Sequence, residues 1–331
     1  MEPVTVVGAG GIGCAVGYAL RCEGVPVHFV DADADKIAWG RSHGVAVDRR
    51  PPQAGTFDHF KEWAPAPDGT IVLCTKCYDN PTVLARLPAS ATFIPIQNGF
   101  DPLIEDRGTP LEGIASFVSE CIPGKTHTRI TRQGRLHIGG RAGADGWQGN
   151  PVIEALKRTK LFRVEVVPDI LPFKYSKLMY NAAISPLAAA AGLDNGELLS
   201  VPPARRLFFA LLRENYGILR AAGVRLGRIG PFHPDTVQQI LRRPAVARLL
   251  SWAFYPTLRG SYCSMSGDLP KGITEIDFYN GHLIELAKDD PCPVNRGVYD
   301  LVKRMERERI PPSRAILNQL EQSISNRNGV A

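Results

Sequence analysis

The hydrophobic and polar positions of the chain follow two different patterns, one in each half. In the first half, short runs rich in aliphatic and β-branched residues alternate with stretches of helical periodicity. Strands that alternate with helices in this way predict a parallel sheet covered by helices on both faces. The predicted strands are residues 4–7, 25–30, 70–74, 92–96, 113–118, 135–138 and 162–167.

From residue 172 onward the strand signals stop and long helical patterns take over. The predicted helices are residues 173–191, 204–222, 235–253, 273–289 and 294–308. This change predicts an α/β domain over residues 1–169, an all-helical domain over residues 170–325, and a frayed tail over residues 326–331.

Composition narrows the class of protein. With 331 residues and 44% hydrophobic content, the chain can bury two ordinary cores. Seven cysteines, an odd number, and no signal-peptide pattern favour reduced thiols and a cytoplasmic location. The longest apolar stretch, residues 184–193, is too short for a membrane span. The basic residues behind the net charge of +6 are scattered, so we expect no nucleic-acid partner.

A glycine-rich motif follows the first predicted strand. Gly8, Gly10, Gly11, Ile12 and Gly13 belong to a Gly-x-Gly-x-x-Gly sequence that opens a helix, which is the context expected of a dinucleotide-binding loop. In such a loop the first glycine permits the turn, the second lets a pyrophosphate approach, and the third lets helix and strand pack closely. The first domain is therefore predicted to be Rossmann-type.

An acidic residue ends the second predicted strand. Asp31 lies eighteen residues after Gly13, where a carboxylate can bind an adenosine ribose and repel a 2′-phosphate. The alternative is that the acids here cap the next helix, a role that we expect of Asp33 or Asp35. For Asp31 the spacing favours the ribose, and with it NADH over NADPH.

Two further polar sites follow predicted strands of the same sheet. Lys76 and Asn98 each come two residues after a predicted strand, where ligands collect in open α/β sheets. Cys74 and Cys77 form a Cys-x-x-Cys pair, but a zinc site needs four ligands and none is supplied nearby. A redox pair usually heads a helix, so we expect both thiols to lie in or near the core.

The helical half carries a polar stripe on an apolar helix. Lys177, Asn181 and Ser185 are spaced by four, which places them on one helix face. Taken alone, Lys177 is more often a solvated lysine than a catalyst. Similarly, residues 274–277 spell a capping box, in which Glu275 need not take part.

Taken together, these residues resemble the ketopantoate reductase family over nearly the whole chain. The motifs that carry the resemblance are Gly8 to Gly13, Lys76, Gln97-Asn98-Gly99, Lys177-x-x-x-Asn181, Asn195-Gly196-Glu197, Ser264-Met265-x-x-Asp268 and Thr274-Glu275-Ile276-Asp277. The resemblance implies hydride transfer from NADH or NADPH to the ketone carbon of a 2-oxo acid, in a cleft between the two domains. The first substrate to consider is 2-dehydropantoate, which would give pantoate.

The resemblance also implies roles for individual residues. Lys177 matches the general acid, and Glu275 matches a carboxylate that binds substrate and would keep this lysine protonated. Residues that match substrate-binding positions are Asn98, Asn181, Ser185, Asn195 and Ser264, and Lys76 matches a lysine beside the nicotinamide. Lys174 has no counterpart, and we expect it on the surface.

Three departures bear on substrate and cofactor. Ser185 and Ser261 stand where asparagines are common in the family, and Asp31 stands where many members have a basic residue. A same-fold reductase of another 2-oxo acid from a specialised pathway is therefore an alternative. A non-catalytic dinucleotide sensor is disfavoured, because it would not need the four residues that match the family's catalytic pattern, which are Lys177, Asn181, Ser264 and Glu275. We expect a small-molecule substrate, no metal, no membrane, and a homodimer.

Overall fold

The computed structural model describes residues 3–66, 69–141 and 149–328 of the chain. It divides into two compact units, Met1–Leu171 and Pro172–Ala331, each with its own internal packing. The division lies two residues from the boundary that the change of pattern predicts.

The first unit is a Rossmann-type α/β fold. Its helices are Gly11–Cys22 (α1), Ala34–His43 (α2), Asn80–Leu84 (α3), Pro102–Arg107 (α4) and Pro151–Arg158 (α5). Its strands are Val4–Val7 (β1), Val27–Asp31 (β2), Ala46–Val47 (β3), Thr56–His59 (β4), Ile71–Leu73 (β5), Phe93–Pro95 (β6), Leu111–Ala115 (β7), Val118–Cys121 (β8), His127–Arg132 (β9), Arg135–Gly140 (β10) and Arg163–Val167 (β11).

The central sheet has five strands in the order β4, β2, β1, β5, β6, and all its pairs are parallel. Alternate residues of its strands enter two different cores. Val6 and Phe29 belong to one hydrophobic cluster, whereas Val7 and Val30 belong to another. Both faces of the sheet are therefore covered, and this is why strands such as β5 and β6 appear in the sequence as continuous apolar runs.

The later strands differ from the prediction of one parallel sheet. Strands β7, β10 and β11 form a second sheet in which β10 pairs antiparallel with β7, and β3, β9 and β8 form a third. The predicted strand 113–118 is two strands, β7 and β8, which belong to different sheets. Three strands that the apolar pattern missed, β3, β4 and β9, are short or carry polar residues at most positions.

All the regular secondary structure among the described residues of the second unit is helical. Its helices are Leu171–Ala191 (α6), Glu197–Ser200 (α7), Pro202–Ala221 (α8), Pro234–Leu241 (α9), Pro244–Leu258 (α10), Met265–Asp268 (α11), His282–Ala287 (α12), Pro293–Glu308 (α13) and Ala315–Asn328 (α14). A π-helix, Asp277–Gly281, directly precedes α12.

Two predicted helices of this unit differ from the structure. The predicted helix 235–253 is two helices, because Pro244 at the start of α10 has no amide hydrogen to continue α9. The predicted helix 273–289 is a π-helical turn followed by the short helix α12, instead of one continuous α-helix. Helix α14 also continues to Asn328, three residues into the segment expected to fray.

Candidate active site

The glycine-rich loop joins β1 to α1. Gly8 has φ +94°, and a Cβ atom there would lie 2.7 Å from the Thr75 nitrogen. A Cβ atom on Gly13 would lie 1.9 Å from the Gly8 carbonyl oxygen, so helix and turn touch at this point. Around Gly10, in contrast, a Cβ atom would meet nothing within 4 Å among the described residues. The loop thus has the tight turn, the close packing and the open approach that a pyrophosphate requires.

Asp31 extends from the end of β2 to this loop. Its Oδ2 atom accepts a hydrogen bond of 2.7 Å from the Ala9 amide, and its Oδ1 atom accepts one from the Asp33 amide. The Lys36 ammonium lies 3.6 Å from Oδ2, and the charge of Asp31 raises the pKa of Lys36 against the opposing effect of burial. As predicted, Asp33 caps α2, since its carboxylate accepts from the Asp35 and Lys36 amides. Asp31 is therefore free of that capping role.

A buried amide network fixes the two loops that follow β5 and β6. Gln97 and Asn80 exchange hydrogen bonds through their side-chain amides, at 2.7 and 3.2 Å. Gln97 also donates to the Thr75 carbonyl, and Asn80 donates to Asp101, which caps α4. These bonds hold the chain on both sides of Lys76 and Asn98, and they explain the glutamine that precedes Asn98.

Lys76 and Asn98 lie on these fixed loops, and both side chains are half-buried. The Asn98 carbonyl accepts a hydrogen bond from the Cys77 thiol at 2.9 Å, which ties the two loops directly. The side chain of Asn98 makes no hydrogen bond to another residue in the described part of the chain. Its amide therefore remains able to bind a ligand.

The Cys-x-x-Cys pair lies in the core, as predicted. Cys77 is 1% exposed, and both Cys74 and Cys77 are free thiols. Burial raises the pKa of Cys74 to about 12, so this thiol stays protonated at neutral pH. A protonated thiol is a poor nucleophile, which argues against a redox role.

Helix α6 carries the predicted polar stripe. Lys177 and Asn181 are half-buried, whereas Ser185 is only 5% exposed. The side chains of Asn181 and Ser185 make no hydrogen bond within the described residues. The prediction for Lys174 was wrong: this lysine is buried, at 7% exposure, one turn before Lys177.

Glu275 precedes the π-helix and is 3% exposed. Its carboxylate accepts a hydrogen bond of 3.1 Å from the Tyr279 hydroxyl. The expected capping box is only half present: the Thr274 hydroxyl accepts from the Ile276 amide, but Asp277 binds Tyr299 and Lys303 instead. Glu275 therefore lies beside the cap without taking part in it.

The remaining candidates lie in different environments. Asn195 makes two hydrogen bonds to Ser261. The backbone amide of Asn195 donates to the Ser261 carbonyl at 2.8 Å, and its side-chain Nδ2 donates to the Ser261 hydroxyl at 3.4 Å. The Asn195 Oδ1 atom is buried and has no partner in the described part of the chain. Ser264, in contrast, is exposed at the start of α11. The side-chain oxygen of Asn195 is therefore buried, whereas Ser264 is an exposed residue.

Comparison with known proteins assigns the family. Residues 4–143 match the family described as ketopantoate reductase PanE/ApbA, and residues 169–306 match its C-terminal part. The chain belongs to the ketopantoate reductase family. The two segments include all the candidate residues, and membership makes the chain a nicotinamide-dependent oxidoreductase that acts on CH–OH groups.

Individual members of the family and of its fold are similar over most of their length. The 2-dehydropantoate 2-reductase of Pyrococcus horikoshii is 27% identical over 329 residues, covering 92% of this chain and 97% of that protein. The corresponding protein of Pyrobaculum aerophilum is 27% identical over 253 residues, or 75% and 81%. Among solved structures, D-mandelate dehydrogenase with NADH and anilino(oxo)acetate has a TM-score of 0.74 at 18% identity, covering 93% and 99%.

The described residues contain no group of three or more His, Cys, Asp or Glu side chains that could hold a metal ion. None of their helices is long and apolar enough to cross a membrane.

Proposed function

We propose that this chain reduces the ketone of a 2-oxo acid to the 2-hydroxy acid, with 2-dehydropantoate as the first candidate substrate and pantoate as product. The observation that carries the proposal is that the two family segments cover both compact units, so that dinucleotide loop and polar helix occur in one chain. Its named relatives are 2-dehydropantoate 2-reductases, which supports the same substrate class and a place in pantothenate synthesis.

In the proposed mechanism the residues of the two units divide the work. A bound nicotinamide dinucleotide would supply the hydride, and the loop from Gly8 to Gly13 would hold its pyrophosphate. Lys177 is assigned as general acid, which gives its proton to the ketone oxygen as negative charge develops there. The amides of Asn98 and Asn181, which have unused hydrogen-bonding capacity, would orient the substrate carboxylate and ketone.

Glu275 is assigned as a substrate-binding carboxylate. It lies in segment 274–277 without taking part in helix capping, and its carboxylate accepts a hydrogen bond from the Tyr279 hydroxyl. A carboxylate at this position would accept a hydrogen bond from a substrate hydroxyl and attract a nearby cation. Lys76 is assigned to the nicotinamide end, because the amide network fixes its loop beside Asn98.

We expect NADH to be used more efficiently than NADPH, by about tenfold or more in kcat/KM, because Asp31 would repel a 2′-phosphate. The nearby Lys36 lowers that repulsion without removing it. Asp31→Asn should lower the ratio of kcat/KM with NADH to kcat/KM with NADPH. Asp35→Asn is the matched control, since it removes one exposed negative charge from the same segment. Initial rates with both cofactors measure the effect, and a wild-type preference for NADPH would contradict the assignment of Asp31.

The proposed reaction is tested by a panel of 2-oxo acids. The wild-type protein should oxidise NADH when a 2-oxo acid is added, with 2-dehydropantoate among the best substrates, and should form the 2-hydroxy acid in equal amount. The absorbance of NADH and chromatography of the product measure this. If NADH binds but no oxo acid in the panel is reduced, the protein is a dinucleotide-binding sensor and the proposal is wrong.

A second candidate substrate class is a 2-oxo acid with a bulkier side chain. It is favoured by Ser185 and Ser261, which are smaller than the asparagines common at these positions. The Ser261 hydroxyl also lies 3.4 Å from the side-chain nitrogen of Asn195. The structural similarity to a D-mandelate dehydrogenase shows that the fold accommodates such a substrate elsewhere. Aryl 2-oxo acids therefore belong in the panel.

A further inference from the structure

Helix α6 lacks one of its own backbone hydrogen bonds. Pro186 lies inside the helix and has no amide hydrogen, so the carbonyl four residues earlier, that of Ala182, has no helical donor. The side chain of Asn280 donates to this carbonyl at 3.0 Å, and Asn280 is fully buried. An amide from a distant segment thus replaces the bond that the proline removes.

The same asparagine belongs to a directed chain of buried amides. Asn280 Nδ2 also donates to Asn295 Oδ1, and Asn295 Nδ2 donates to Asn215 Oδ1 and to Glu214. Asn215 in turn donates to the Met179 carbonyl of α6 at 2.9 Å. All three asparagines are 0% exposed. The network therefore holds two carbonyls of α6, those of Met179 and Ala182, on either side of Asn181 in sequence.

The side chain of Asn280 serves as a hydrogen-bond donor and not as an acceptor among the described residues. Its two amide hydrogens have acceptors, whereas its Oδ1 atom is buried and has no partner among the described residues. A buried acceptor left unsatisfied is unfavourable, and it persists here beside two satisfied donors. Since a backbone carbonyl can only accept, the contact with Ala182 also fixes which end of the amide is nitrogen.

Asn280 lies in the π-helix, five residues after Glu275. A π-helical turn contains more residues than an α-helical turn, and such turns are frequent at functional sites. Asn280 therefore connects the segment of one assigned residue, Glu275, to the helix of two others, Lys177 and Asn181. Nothing in the family resemblance identified this connection.

We propose that Asn280 is a positioning residue, which fixes α6 relative to the Glu275 segment by supplying the hydrogen bond that Pro186 cannot. The proposal rests on the proposed function for the roles of Lys177 and Glu275. It has a direct chemical consequence: a residue at position 186 with an amide hydrogen can bond Ala182 itself. The donor of Asn280 should then become partly redundant.

The test is a double-mutant cycle of Asn280→Ala and Pro186→Ala in the full chain. Asn280→Ala should lower kcat about tenfold or more, with little change in KM for NADH, because a small displacement of positioned groups slows the chemical step. Pro186→Ala alone should leave kcat within about twofold of the wild-type value. In the double variant, kcat should recover most of the loss, since alanine at position 186 restores the helical bond.

Pro256→Ala provides the matched control. Pro256 also lies inside a helix, α10, but the carbonyl four residues earlier belongs to Trp252, which is 77% exposed and can be hydrated. This substitution should not restore the kcat of Asn280→Ala. Equal recovery by both proline substitutions, or additive effects of Asn280→Ala and Pro186→Ala, would overturn the proposal.

Stability is measured in parallel by urea unfolding of all the variants. Recovery of the unfolding midpoint without recovery of kcat would show a purely structural contact and overturn the positioning role. If Asn280→Ala does not fold, the double variant must fold and turn over, and its failure to do so refutes the proposal. If the wild-type protein reduces no 2-oxo acid, the proposed function is wrong. Independently of that result, additive effects of Asn280→Ala and Pro186→Ala on the unfolding midpoint would disprove the replacement of the hydrogen bond by Asn280.

Discussion

Replacement of Lys177 by alanine is expected to lower kcat for the 2-oxo acid by about 10²–10⁴-fold, the range typical of a lost general acid. Without the ammonium, no group assigned here donates a proton to the ketone oxygen. NADH binding should be largely retained, because the loop from Gly8 to Gly13 and Asp31 lie in the other unit. Steady-state rates and the fluorescence of bound NADH measure the two effects separately.

Lys174→Met is the matched control for this substitution. Lys174 is one turn earlier on α6, carries the same charge and is more buried than Lys177. Its replacement should change the unfolding midpoint more than it changes kcat. If Lys174→Met stops turnover while Lys177→Ala leaves it near normal, the assignment of the acid to Lys177 is incorrect.

Glu275→Gln is expected to lower kcat/KM for the oxo acid by about 10²-fold, while the unfolding midpoint changes little. Glutamine keeps the volume of the side chain and can still accept from the Tyr279 hydroxyl, so the substitution removes the charge and retains this contact. Substrate binding and proton donation by a lysine both depend on that charge in the assigned mechanism. Rates over a range of substrate concentrations, together with urea unfolding, separate these effects.

Glu306→Gln is a control in the same unit. Glu306 is also buried, at 8% exposure, but its partners are the Thr274 hydroxyl and Lys303, which are structural contacts. Its substitution should reduce stability and spare kcat. The opposite pair of results, with stability lost in Glu275→Gln and activity lost in Glu306→Gln, would return Glu275 to a structural role.

Local patterns predicted the glycine loop between β1 and α1 correctly. The glycines and the strand before them are close in sequence, and the turn depends on backbone geometry that glycine permits by itself. The capping role of Asp33 could be predicted for the same reason. The break in the predicted helix 235–253 could also have been predicted, because Pro244 is typical of the first position of a new helix.

The support for the site was not predictable from local patterns. Asn80, Gln97 and Asp101 form one network only because β5 and β6 are adjacent in the sheet. The burial of Lys174 likewise depends on what packs against α6, since helical spacing gives a face and not its environment. Asn280 lies outside the motifs of the sequence analysis, and its partner on α6 is 98 residues away.

The sequence by itself determined the class of this protein: a glycine loop opening a helix, an acid at the next strand end, and a helix with lysine and asparagine one turn apart. These features are short, and short segments carry their own geometry. The tertiary structure decided which residues support them. Carbonyls such as that of Ala182 need donors wherever their own helix cannot provide one, and only packing brings an asparagine such as Asn280 within 3.0 Å.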